Sequence, residues 1–175
     1  MSIDHWDRSK ILSVLSNAEA FEVSDILKAL YDIRYNTGDD DEEILFGLLD
    51  HQDDGVVASV IYSLWNSYDC RAELIPLIKA FARGDERDRD EMSIQSMAID
   101  ILKEIALQDY DALEELREIA EDGSVCEIPH VRAWRALAAI YGVEWSRRWS
   151  EELILQPDSH ASESIRDCIR KAMNS

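Results

Sequence analysis

Glycine and proline are scarce in this chain, 6 and 3 of 175 residues, which excludes a turn-rich sheet protein and favours long helices. β-Branched residues do not gather in alternating runs, so no strand is expected. No apolar run approaches the roughly 18 residues that cross a bilayer. The amino-terminal MSIDHWDRSK has no basic start followed by an apolar core and is not read as a signal peptide. Cys70, Cys126 and Cys168 are odd in number, far apart and without metal-ligand spacing. Reduced thiols in a cytoplasmic protein are therefore the expectation.

Positive charge is also short. The chain has 18 Lys and Arg against 37 Asp and Glu, for a net charge of -19. A field of that sign repels nucleic-acid phosphates and attracts basic proteins or cations, so a basic protein is the expected partner and neither nucleic acid nor a membrane is. Catalytic motifs are missing as well: there is no glycine-rich phosphate loop, HExxH, GxSxG or paired CxxC. His5, His51, His130 and His160 fall near expected helix ends or in loops, His130 as a surface or capping residue. No catalytic residue, cofactor or metal is assigned.

What is there is helical periodicity. From Tyr110, Leu113, Leu116, Ile119 and Ala120 recur at three- and four-residue intervals and form one side of a helix, while Glu114, Glu115, Arg117, Glu118 and Glu121 make a solvated face. Asp122-Gly123 stops it, and Pro129 suits the first turn of a second helix. Val131, Trp134, Leu137, Ala138 and Tyr141 are the second stripe, closed by Gly142. Neither helix can bury its stripe alone.

The pattern repeats. Val57, Ile94 and Val131 are each 37 residues apart, opening VASVIYSLW, IQSMAIDIL and VRAWRALAA, and each follows a helix and an acidic or Gly-containing turn. Helix pairs at such a period point to a solenoid. The segment LIPLIKAFARGD from Leu74, with early Pro76 and closing Asp85, resembles the first helix and turn of a HEAT repeat. His130-Val131-Arg132 resembles the start of that repeat's second helix, with Val57-Ala58 and Ile94-Gln95 in the other copies. The resemblance covers about Glu43 to Gly142. It implies an all-α, right-handed solenoid of HEAT-like helix pairs, about nine or ten helices in one domain. Residues 1–38 would be N-terminal capping helices, 39–142 three repeats, and 143–175 C-terminal capping helices.

In the first cap, Asp7 to Leu15 is expected to be helical, Asn17 to Glu22 to break it, and Ser24 to cap a helix with Ile26, Leu27, Leu30, Tyr31 and Ile33 inward. In the last, Trp145, Trp149, Leu153 and Ile154 form a stripe on one helix, and Ile165, Cys168, Ile169 and Ala172 face inward on another. The turn GDERDRDE from Gly84 to Glu91 reads as solvated.

Eight acids and no Lys or Arg lie between Gly38 and Gly55. Asp39, Asp40, Asp41, Glu42, Asp53 and Asp54 of that run are candidate contacts for a basic partner, alongside a plain solvated edge. Its spacing lacks the pattern of a calcium loop, so it is not assigned as a metal site. In stacked helix pairs the second helices line one face. In this register that face carries Ser59, Tyr62, Ser63 and Asn66, then Gln95, Asp100 and Lys103, then Arg132 and Arg135. The expected function is an acidic protein-binding module, such as an immunity or inhibitor protein occupying a basic toxin. A HEAT-like enzyme of lyase type and an assembly factor or scaffold are the alternatives, and oligomeric state is left open. HEAT-like DNA glycosylases hold DNA on a basic face, which the acidic balance opposes.

Overall fold

The computed structural model describes residues 5–38, 41–85, 88, 93–122 and 127–175. Gly123, Cys126, the candidate contacts Asp39 and Asp40, and most of the turn GDERDRDE lie outside the described residues. Among the described residues there are ten α-helices, two short 3-10 turns and no strand, so the chain is all-α. None of these helices is long and apolar enough to cross a membrane. The fold divides into two compact units, Met1–Leu77 and Ile78–Ser175.

The first unit contains α1 (Arg8–Leu15), a 3-10 turn Ala18–Ala20, α2 (Val23–Ile33), α3 (Asp41–Gly47), a 3-10 turn Leu48–Asp50 and α4 (Asp54–Ser67), and it holds the beginning of α5 (Arg71–Ala82). Asp7 caps α1 by accepting from the Lys10 amide at 2.9 Å. Helix α1 packs on α2, α2 on α4, and α3 on both α1 and α4. Ile11, Ile26, Leu30, Ile33, Leu45, Val57, Ile61 and Leu64 are sealed between them. Two expectations fail here. Helix α2 opens at Val23, so Ser24 is already helical, and the preceding Glu22 makes no side-chain cap. Tyr31 is exposed, because the buried stripe of α2 runs through Ile26, Ala29, Leu30 and Ile33, and the next residue after Leu30 is turned about 100° away from it.

The second unit holds the end of α5, then α6 (Ser93–Ala106), α7 (Tyr110–Glu121), α8 (Glu127–Ile140), α9 (Arg147–Leu155) and α10 (His160–Met173). Helices α6, α7 and α8 pack mutually, and α10 rests on α8 and α9. Gly84 and Gly142 follow α5 and α8 with φ of 94° and 68°, a backbone state that glycine adopts without strain. Val57, Ile94 and Val131 are all buried, each near the start of a helix of 14 residues, at its fourth, second and fifth position respectively.

Polar residues account for most differences from expectation in this unit. Glu115, expected on the solvated face of α7, is buried and receives Arg83 Nε from the end of α5. Arg83 also reaches Glu118 at 2.7 Å. His130, expected ahead of the helix, lies inside α8, where its Nε2 accepts from Trp134 Nε1 at 3.2 Å. Burial, then the nearby Arg166 guanidinium, pushes its imidazole below the ordinary histidine range, which suits it to accept. Trp145 precedes α9, whose cap is Ser146, although the Trp145 and Trp149 rings do meet edge-on at 5.7 Å. Cys168 is exposed while Ile165 and Ile169 of the same helix are buried.

Leu116 and Leu137 are both fully buried in the second unit. Truncating either to Ala should cost about 2 to 5 kcal/mol in urea unfolding, whereas Ala at the exposed Tyr110 should change stability by less than about 0.5 kcal/mol. Equal losses at all three positions would refute the packing described.

Candidate docking surface

The acidic run splits into inward and outward members. Asp41, at the start of α3, is completely buried. Its carboxylate accepts from Arg8 Nη1 and Nη2 at 3.1 and 2.6 Å, from the Gly38 amide at 2.7 Å and from Tyr68 Oη at 3.0 Å. Burial, followed by donation to that carboxylate, drives the Tyr68 phenol well above its ordinary pKa. Asp53 is the N-cap of α4 and accepts from the Val56 amide at 3.0 Å. Asp54 is buried in the first turn of α4, where the helix dipole favours negative charge. Glu42 is half-buried, while Glu43 and Asp50 are exposed. Expected contacts Asp41 and Asp54 therefore do not form an open surface, and Asp53 is committed to a helix end.

The outward acids rim a cleft. Between the α1 end with its 3-10 turn and α3 with its own lies an open depression of about 780 Å³. Its apolar lining comes from Leu15, Ala18, Ile44 and Leu48, with the bare backbone of Gly47 beside them. Glu19, Glu43 and Asp50 provide its charge, and His51 is its one basic-type side chain. Glu19 was not singled out from the sequence. It belongs to Asn17–Glu22, a segment recognisable only as a helix break, which the fold turns into one wall.

A second feature of this unit is aromatic. Tyr62 and Asn66 are exposed on α4 as expected, but Ser63 between them is buried and accepts from Arg34 Nε at 3.1 Å. That bond brings the Arg34 guanidinium to 4.7 Å from the Tyr62 ring centre and 5.9 Å from Tyr31. Tyr35 and His5 extend the group, their ring centres 5.0 Å apart. The four-residue spacing of Tyr31 on α2 and Tyr35 in the turn just after it is the signal the sequence offers, and the expectation that Tyr31 faces inward conceals it.

In the second unit the expected face assembles in part. Asp100, Lys103, Arg132 and Arg135 line one groove between α6 and α8, of about 370 Å³. Asp100 and Arg132 pair at 2.8 Å. Gln95 does not join them: it is buried, and its Nε2 donates at 3.1 Å to the Ala82 carbonyl, a helix-end acceptor of α5. Asp88 holds the start of α6 by accepting from the Gln95 amide at 2.7 Å.

Much of the scarce positive charge is spent internally. Arg8, Lys28, Arg83, Arg117, Arg132, Arg147, Arg166 and Arg170 all make ion pairs within the chain. Arg170 alone engages Glu121, Glu163 and Asp167. Arg71 lies over Trp65 and Lys10 over Trp6. Among the described residues no group of three or more His, Cys, Asp or Glu is placed to hold a metal ion. Compared with known proteins, the chain matches no family model, no curated protein and no solved structure.

Asp32 gives the first unit an acid-sensitive point. Its buried carboxylate accepts from His5 Nδ1 at 2.7 Å, the Trp6 amide at 2.9 Å and Lys28 Nζ at 3.1 Å. Burial alone would raise its pKa, but these donors outweigh it and hold the group below the reference value of 3.8. A carboxyl depressed on folding contributes stability that is present above its unfolded pKa and is lost as pH falls through the folded one. Thermal melts should therefore show an added loss below about pH 4, and Asp32→Asn should reduce that loss. An identical acid slope in the variant would remove Asp32 from the account.

Proposed function

We propose that this chain is an acidic protein-binding module whose first unit receives a basic protein. The observation that carries the reading is the cleft beside α3. Its lining mixes Leu15, Ala18, Ile44 and Leu48 with Ser16 and Asn17, and its rim bears Glu19, Glu43 and Asp50. Protein recognition commonly combines an apolar centre with a charged edge, the edge supplying steering and specificity. The overall charge of -19 acts in the same direction.

A HEAT-like solenoid is the architecture this reading adopts. It is supported by the buried positions shared by α4, α6 and α8, and by second helices of successive pairs meeting within each unit, α2 with α4 and α6 with α8. The concrete version is an immunity or inhibitor protein whose acids cover the basic active surface of a toxin. A scaffold would use the same cleft without silencing its partner.

The test is affinity capture from an extract of the native host at low and then moderate salt, with the wild-type chain and an E19K/E43K/D50K variant as paired baits. One basic protein should be retained by the wild type and released by salt. Its association rate should fall by about tenfold or more in the variant, with a smaller change in dissociation. Equal retention by both baits would take the cleft out of the function. Loss of the partner's enzymatic activity on binding selects the inhibitor version.

A further inference from the structure

Gly47 lines the acid-rimmed cleft at the end of α3, and nothing among the described residues requires a glycine there. Its φ and ψ are -63° and -21°, ordinary helical values open to any L-residue. A Cβ at this position would meet no neighbouring atom of the described residues within 4 Å. By contrast, Gly38 lies against the Arg8 guanidinium, and Gly84 and Gly142 have positive φ. Gly47 thus carries the helix-propensity cost of glycine with no folding reason for it. Gly47 shares the lining of the cleft with Ala18 and Leu48.

Resting on the binding reading above, we infer that the cleft receives an amphipathic basic helix of the partner, whose apolar ridge crosses Gly47 while flanking Lys or Arg side chains meet Glu19, Glu43 and Asp50. The missing side chain permits the close approach of two helices that a Cβ-bearing residue would obstruct. A helix is favoured over an extended segment because α1, α3 and α4 offer no strand edge. An extended chain laid in this cleft would find no strand edge to pair its backbone N–H and C=O groups, whereas a helix satisfies its own. A second copy of this chain is disfavoured as the occupant by its charge of -19.

The experiment uses a fluorescently labelled Leu/Lys peptide of about four helical turns, with leucines at three- and four-residue spacing, and a scrambled peptide of identical composition. Binding is followed by anisotropy to wild type, G47W, G47A and E19K/E43K/D50K. The aligned peptide should bind wild type about tenfold or more tightly than the scramble, and G47W should abolish that preference without a change in charge. G47A should raise Tm by about 2 to 4 °C, and circular dichroism should show G47W folded. Equal binding of both peptides to wild type, or undiminished preference in a folded G47W, overturns the helix-in-cleft inference. If those peptides still lose affinity in E19K/E43K/D50K, the broader acidic docking reading survives; if neither responds to that variant, both fall.

Discussion

The pairing of Arg8 with the fully buried Asp41 is the interaction on which the first unit depends. A carboxylate removed from water is tolerated only when its lone pairs are met by donors, and Asp41 collects four. Those donors come from α1, the loop before α3, and the residue after α4, so one side chain fixes the register of three helices. The same contact orients α3, and with it Glu43, Gly47 and the wall of the cleft. Asp32 repeats the device closer to the amino terminus, joining His5, Trp6 and Lys28.

The chain's scarce cations pair both with buried carboxylates and with exposed ones. Arg83 reaches Glu115 and Glu118, and Arg170 joins α10 to Glu121 at the end of α7. The more exposed of these pairs, Arg83 with Glu118 and Arg170 with Glu121, contribute little stability individually. Their larger consequence is for the surface, because pairing within the chain leaves the net charge of -19 unchanged.

The helices were legible because apolar spacing is a local property. Val57, Ile94 and Val131 could be aligned from the sequence, and each is buried in a helix of equal length. The destination of polar residues was less legible, since it depends on partners distant in the chain. Asp41 and Asp54 belonged to a run that read as surface, yet Asp41 turns inward toward Arg8, 33 positions earlier. Gln95 and Glu115 went inside for the same reason, each matched to a group at the end of α5. The cleft itself was invisible because two 3-10 turns, Ala18–Ala20 and Leu48–Asp50, shape it, and turns of that length leave no periodic mark. Its glycine could be recognised as unconstrained only after its backbone angles and surroundings were known.

Hydrogen–deuterium exchange of the chain alone and with the basic protein that the proposed reading expects it to capture tests the central claim most directly. The account predicts new protection concentrated in residues 15–20 and 43–51, the two walls of the cleft. Protection confined to α6 and α8, with those walls exchanging as in the free protein, would contradict it.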